Sequence, residues 1–341
     1  MRADLVTPVN LDTGLLFSSE LIATERIGAG ADRHLWYLRS HHIALDGFGY
    51  LLLIHRVAEA YSAYRRGIEP PPCRDWSLLP LLAEEQRYRN GAAYADDRAF
   101  WRKSLTDAPP PARLATAMAV DDRPRSASAR LAPAIYPQWQ AAARACGVDW
   151  AAWLIAAIAA WMHARGGFDE VSIGLLVMNR LGSAALTVPC MGMNVIPLRV
   201  RTPAQMPFRD LAQSVADELR AIRRHQRYNY EWMRIDAGLE GSHRQLYGPV
   251  LNLMPFDRGF VFDGLRSCAH PVPVGPVDDL DITVSPLADG MRFDIDANPL
   301  AYDEVTLRSH HAALLQLIAT VAHKPASSLG ALRGDIADAA A

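Results

Sequence analysis

The stretch HLWYLRSHHIALDGFGYLLLIHRVAEAY, residues 34–61, decides the fold. Its first seven residues are mostly apolar and β-favouring and predict a strand over 34–40. Asp46 and Gly47 interrupt that pattern. From Phe48 onward, Leu51, Leu52, Ile54, Val57, Ala58 and Tyr61 recur at helical spacing. Arg65, Arg66 and Gly67, followed by EPPP, stop the helix. The segment is a strand, a sharp turn and a helix. His41 and His42 fall at the carboxyl end of the strand. Asp46 falls where a carboxylate caps the unsatisfied N–H groups of a starting helix.

The same alternation continues outward. Residues 78–105 read as helix and end in FWRKSL. A segment rich in Pro, Ala, Ser and Asp follows and reads as a linker over 111–128. Asp149 caps a long apolar helix that runs to about His163 and stops at Gly166 and Gly167. Strands are expected over 170–178, 192–200, 248–256, 279–287 and 291–299. Helices are expected over 208–225, with an arginine-rich end, and over 303–322. Interleaved strands and helices make the class α/β or α+β.

Composition narrows the function. The chain has 341 residues, long enough for about two domains, and half of them are hydrophobic. A net charge of -2 gives no reason to expect nucleic acid or an anionic membrane as partner. Cys73, Cys146, Cys190 and Cys268 form no CxxC pair, so neither a zinc knuckle nor a redox motif is expected. Isolated cysteines suit a reducing compartment. The start MRADLVTPVN lacks the apolar core of a signal peptide, and the apolar run 150–162 is short of the ~20 residues of a bilayer span. A cytoplasmic protein is expected.

An arbitrary pair of adjacent histidines is most often structural. The chain carries its own control in SHHAALLQL, where His310 and His311 lie inside a helical pattern with Leu315 four positions on. That pair reads as structural, with one ring solvated. His42 and Asp46 are four apart, but the helix starts after Asp46 and no third ligand has suitable spacing, so no metal is expected. A histidine at a strand end can instead act as a base or hydrogen-bond donor near neutral pH. Gly47 lets a substrate approach the backbone, and the helix amino terminus favours developing negative charge.

HHIALDG fits the HHxxxDG motif of the condensation domains of nonribosomal peptide synthetases, and related CoA-dependent acyltransferases share its HxxxD core. GGFDEVSIGLLVMNR (166–180) resembles the segment that leads to that family's second-lobe arginine. MGMNVIPLRV (191–200) resembles its Asn-Thr/Val-Leu-Pro-Leu-Arg segment, and HQRYNYE (225–231) its HQ-aromatic-x-x-E motif. LYGPVLNLMPFD (246–257) is similar to its late Asn-bearing strand, especially as found in siderophore synthetases. The order is right, and the resemblance runs from about residue 5 to 335. Asn229 stands where many members carry proline, and the two early motifs of the N-terminal lobe have no counterpart.

The resemblance implies two chloramphenicol acetyltransferase-like lobes in a V, with the site at the bottom of a tunnel between them. Residues 1–110 would be a partial N-terminal lobe, 111–128 a linker and 129–335 the C-terminal lobe. It implies amide formation between a carrier-bound acyl or aminoacyl thioester donor and an aminoacyl acceptor, in nonribosomal peptide and possible siderophore biosynthesis. His42 would orient the amine, take its proton or steady the tetrahedral intermediate. His41 and Asp46 would support it, Gly47 would leave room for the substrate arm, Asp46 would pair with Arg180 across the lobes, and Asn194 would line the tunnel. No tightly bound cofactor is implied, since substrates ride on phosphopantetheine arms. Donor and acceptor carrier proteins would be partners, with neighbouring modules or a polypeptide that completes the N-terminal lobe. A stand-alone CoA- or carrier-dependent O-acyltransferase stays open, as does a non-catalytic remnant or interaction module.

Overall fold

The computed structural model describes residues 7–23, 34–115, 119–121, 123–254, 260–265, 267, 275–287 and 289–338. Cys268 and the end of the strand expected over 248–256 lie outside the described residues. The chain divides into two compact units, one drawn from Met1–Gln86, Arg180–Met193 and Phe260–Cys268, the other from Arg87–Asn179, Asn194–Gly259 and Ala269–Ala341.

In the first unit, strand β1 (Phe17–Ala23) pairs antiparallel with β2 (His34–Ser40), from Phe17 opposite Ser40 to Ala23 opposite His34. Helix α1 (Gly47–Arg65) follows β2 after the turn. Gly49, Ala58 and Ala63 are buried, Phe48 and residues 50–54 are half-buried, and Val57, Tyr61 and Tyr64 are exposed. The segment at 260–265 packs on these elements. Phe262 meets Trp36 and Tyr61 edge-on, and Asp263 accepts from Arg66 Nε at 2.7 Å.

Helix α2 (Leu79–Arg89) and helix α3 (Ala92–Leu105) occupy the span 78–105 expected to be helical. Gly91, extended at φ -98°, separates them and stands at the N-cap of α3.

The second unit is built on a six-stranded mixed sheet of β3 (Arg125–Leu131), β4 (Glu170–Val177), β5 (Asn194–Arg201), β6 (Val250–Leu253), β7 (Leu280–Leu287) and β8 (Gly290–Ala297), in the order β3-β8-β7-β6-β4-β5. The central β4, β6 and β7 are parallel, and the outer pairings are antiparallel. Alternation sets the faces: Leu280, Ile282 and Val284 of β7 and Met291, Phe293 and Ile295 of β8 are buried. Helices α4 (Ile135–Ala145), α5 (Trp150–Gly166), α6 (Phe208–Arg223), α7 (Tyr230–Asp236), α8 (Glu304–His323) and α9 (Leu329–Asp338) complete the unit.

Helix α5 is the hub. Every residue from Ala152 to Ala164 is buried, which explains a helix that is apolar all round. Asp149 accepts from Ala152 N at 2.8 Å at its start, and Gly167 ends it in the left-handed region at φ 69°. No single helix among the described residues is long and apolar enough to cross a membrane. Both rings of the second histidine pair are buried in α8, where one was expected in solvent. His311 Nε2 lies 3.2 Å from the Phe293 carbonyl, and His310 meets Trp161 and Tyr302 edge-on.

Candidate active site

The strand-to-helix turn holds most of the candidate residues. His41 N donates to the Leu16 carbonyl at 2.8 Å, and Ala44 N donates to the His41 carbonyl at 3.0 Å. His41 Nδ1 accepts from Ile43 N at 3.2 Å, so this ring is tied to its own turn. His42 is exposed, and its ring has no hydrogen-bond partner among the described residues. Gly47 is exposed and is the first residue of α1.

Asp46 is the most heavily bonded side chain of the turn. It is 3% exposed. Its Oδ1 caps α1 by accepting from Gly49 N at 2.8 Å. Its Oδ2 accepts from Gly192 N and Met193 N, each at 2.9 Å. Arg180 Nη2 donates to both oxygens, at 2.8 and 2.9 Å. Arg180 is wholly buried and also donates to the carbonyls of Ala185, Val188 (3.1 Å) and Cys190 (2.6 Å). Its guanidinium stands 5.0 Å from the Phe48 ring centroid. Arg180 and the segment through Met193 belong to the same compact unit as Asp46.

The pair fixes the Asp46 charge. Burial is the largest single influence and pushes the carboxyl up. The Arg180 hydrogen bonds, the Gly49 and Gly192 amides and the Arg180 charge outweigh it, so Asp46 titrates below its ordinary 3.8. Burial pushes the neighbouring Cys190 thiol up, against the pull of Arg180. Two glycines make the packing possible. A Cβ on Gly49 would lie 2.8 Å from the Cys190 carbonyl oxygen, and one on Gly192 would lie 3.0 Å from Arg180 Nε.

Asn194 lies in the second unit, 5% exposed at the start of β5. Its Nδ2 donates to the Gln226 and Tyr228 carbonyls at 2.9 and 2.8 Å. Its Oδ1 accepts from Tyr230 N and Val195 N, each at 3.0 Å. The amide group is saturated within the protein, and it pins the chain at 226–230 to β5.

That pinned chain is HQRYNYE. His225 Nδ1 lies 2.7 Å from Asp97 Oδ1, and Asp97 Oδ2 accepts from the Tyr88 hydroxyl at 2.7 Å. Phe100 stacks on the His225 ring at 4.0 Å. Asn229 caps α7 by accepting from Glu231 N at 2.8 Å, with φ -66°. That φ is the value a proline ring imposes, so the position suits either residue, and asparagine adds a side-chain cap. Among the described residues no group of three or more His, Cys, Asp or Glu could hold a metal ion.

The Asp46 partners at Gly192 and Met193 were not legible in the sequence. They act through backbone N–H groups, which every residue but proline carries. The only signal was the missing side chain at Gly192.

The chain is similar to known proteins along most of its length. A family model described as "Condensation domain" matches residues 1–333. The chain is 40% identical over 328 residues to a dimodular nonribosomal peptide synthase of Bacillus subtilis (strain 168), which covers 94% of this chain and 13% of that protein. It is 34% identical over 337 residues to enterobactin synthase component F of Escherichia coli (strain K12), covering 97% of this chain and 25% of that protein. The chain thus spans a quarter or less of the length of these curated relatives. Among solved structures, the first condensation domain of the CDA synthetase superposes with a TM-score of 0.85 at 31% identity, over 96% of this chain and 72% of that one.

Proposed function

Because the chain belongs to the condensation-domain family, we propose that it joins a carrier-bound acyl or aminoacyl thioester to the amine of a carrier-bound aminoacyl acceptor. The observation that carries this reading is the division of labour in HHIALDG. Asp46 is consumed by four elements of its own surroundings, while the adjacent His42 ring is exposed and uncommitted among the described residues. The first arrangement suits a support and the second a group that meets substrate.

In this reaction the amine nitrogen bonds to the thioester carbon and the C–S bond breaks. Sulfur leaves as the thiolate of the donor's phosphopantetheine arm. His42 orients the amine and passes its proton toward that thiolate. An amine attacking a thioester is not a demanding reaction, so positioning supplies much of the rate. Assistance from one positioned base is worth ~10²–10⁴-fold. His41 shapes the turn, Gly47 leaves room at the helix start, Asp46 and Arg180 hold the turn against the 180–193 segment, and Asn194 holds the 226–230 segment.

The donor and acceptor carriers are the partners in this reading, and the dimodular nonribosomal peptide synthase relative points to similar peptide assembly. Neighbouring synthetase modules would be further partners. The test supplies the chain with one acyl-loaded and one aminoacyl-loaded carrier and reads the product by mass spectrometry. Hydroxylamine releases the product from the acceptor thioester in either case; the released acyl–aminoacyl fragment stays whole if an amide joins it and is split if an ester, the product of an O-acyltransferase, does. A released fragment that is split, or no product, refutes the amide reading.

A further inference from the structure

The arginine-rich end of α6 has no part in the chemistry above. Residues 220–234, RAIRRHQRYNYEWMR, hold Arg220, Arg223, Arg224, Arg227 and Arg234 against the single acid Glu231. Arg220 is answered by Asp217 and Arg234 by Glu231. Arg223 and Arg224 are exposed and have no ionic partner among the described residues. In a chain of net charge -2 this concentration is local, since outside 220–234 the sequence has 30 Lys and Arg (35 less 5) against 36 Asp and Glu (37 less 1).

The ground beneath these arginines is rigid. Arg227 stacks 4.2 Å over the Tyr88 ring, Tyr88 lies parallel to Trp232, and Arg89 stacks 4.6 Å over Trp232. Tyr88 is itself buried and tied to Asp97, which also holds His225, the residue next to Arg224. A bidentate bond from Arg98 to Asp236 fastens α3 to the same segment. A guanidinium stacked on a ring has less rotamer freedom to lose on binding. Arg, Tyr and Trp together are the residue types that dominate protein–protein hot spots.

We infer that this arginine–aromatic platform, centred on Arg223, Arg224 and Arg227, docks an acidic carrier domain and steers it by charge. The inference rests on the proposed reaction, which requires partners that each bear an anionic phosphopantetheine phosphodiester. A compact acidic domain needs only the patch. The net acidic balance of the rest of the sequence disfavours a long polyanion such as nucleic acid.

The test uses the full chain and a fluorescently labelled, acidic holo carrier domain. Binding is followed by anisotropy from low to high salt. Turnover is followed separately with small soluble thioester analogues that need no docking. R223E/R224E and R227E are expected to weaken carrier binding at least about tenfold and to flatten its salt dependence. The neutral R223Q/R224Q should fall between. For R223E/R224E and R223Q/R224Q, melting and turnover of the soluble thioesters should stay at the wild-type level, whereas R227E also loses its stack on Tyr88 and is read by carrier binding alone. Unchanged carrier binding in the charge-reversal variants overturns the inference. So does an equal loss with carrier and soluble substrates, or wild-type binding of a single-stranded oligonucleotide that displaces the carrier. Charge-sensitive carrier binding by a chain that turns over no thioester would leave the docking surface standing and remove the proposed reaction.

Discussion

Replacing Arg180 by alanine isolates the contact that organises the candidate site. The substitution leaves Asp46 buried with its cationic partner gone, and it strips donors from the carbonyls of Ala185, Val188 and Cys190. Breaking a buried ion pair by removing one partner costs about 3–5 kcal/mol. Part of that cost is offset because Asp46 keeps the amides of Gly49, Gly192 and Met193, so the lower end, about 3 kcal/mol, is expected at neutral pH. The penalty must also depend on pH. In the wild type the depressed Asp46 pKa contributes stability that is present above 3.8 and is lost as pH falls through the folded value. In R180A the buried carboxylate protonates more readily, which relieves the uncompensated charge. The gap between the two proteins should therefore narrow as pH falls from 7 toward 4. Urea unfolding followed by fluorescence, with hydrogen exchange over 180–193, reads both effects. A penalty below about 1 kcal/mol, in the range of an exposed ion pair, or one that does not change with pH, would refute the reasoning.

Other outcomes follow from groups outside the turn. Burial pushes His310 down to about 4, and Arg165 adds to the shift, so the folded state holds this ring neutral. Stability from His310 is lost as pH falls from 6.5 through about 4, and H310F should flatten acid denaturation in that window. Asp281 faces Asp296 across the β7–β8 pair and is pushed up to about 7, by burial first and then by Asp296, Asp278 and Asp279. Its folded pKa is raised, so stability is lost as pH climbs from 3.8 through about 7. Because Asp281 keeps some solvent contact, D281N should gain about 1–2 kcal/mol at pH 8 and almost nothing at pH 4, as measured by melting at both. N194A strands two buried carbonyls and the Tyr230 amide, and should cost about 2–4 kcal/mol with faster exchange over 226–230. Unaltered exchange there would refute its pinning role.

Much of the fold was legible because local rules and packing agree. HLWYLRS became β2, Asp46 and Asp149 became caps, and the apolar run from Trp150 became the buried hub α5. The misses share a cause. β1 (FSSELIA) and β3 (RSASARL) are partly exposed strands with serine and charge in place of an apolar face, so their period was faint. The break between α2 and α3 falls at Asn90 and Gly91, a turn-favouring pair inside the span 78–105 that reads as helix. His310 and His311 are neighbours on a helix and should not share a face. Both are buried because α8 meets Phe293 of β8 on one side and Trp161 and Tyr302 on another. Of the site, the turn could be read locally. Its partner Arg180 stands 134 residues away and entered only through family resemblance.

The proposed chemistry is tested most directly by single-turnover amide formation with His42→Ala against wild type, using preloaded donor and acceptor carriers. The His42 ring makes no hydrogen bond among the described residues, so its removal should leave melting unchanged. The rate of amide formation should fall ~10²–10⁴-fold. An unchanged rate in a folded H42A protein would contradict the assignment of the reacting proton to His42.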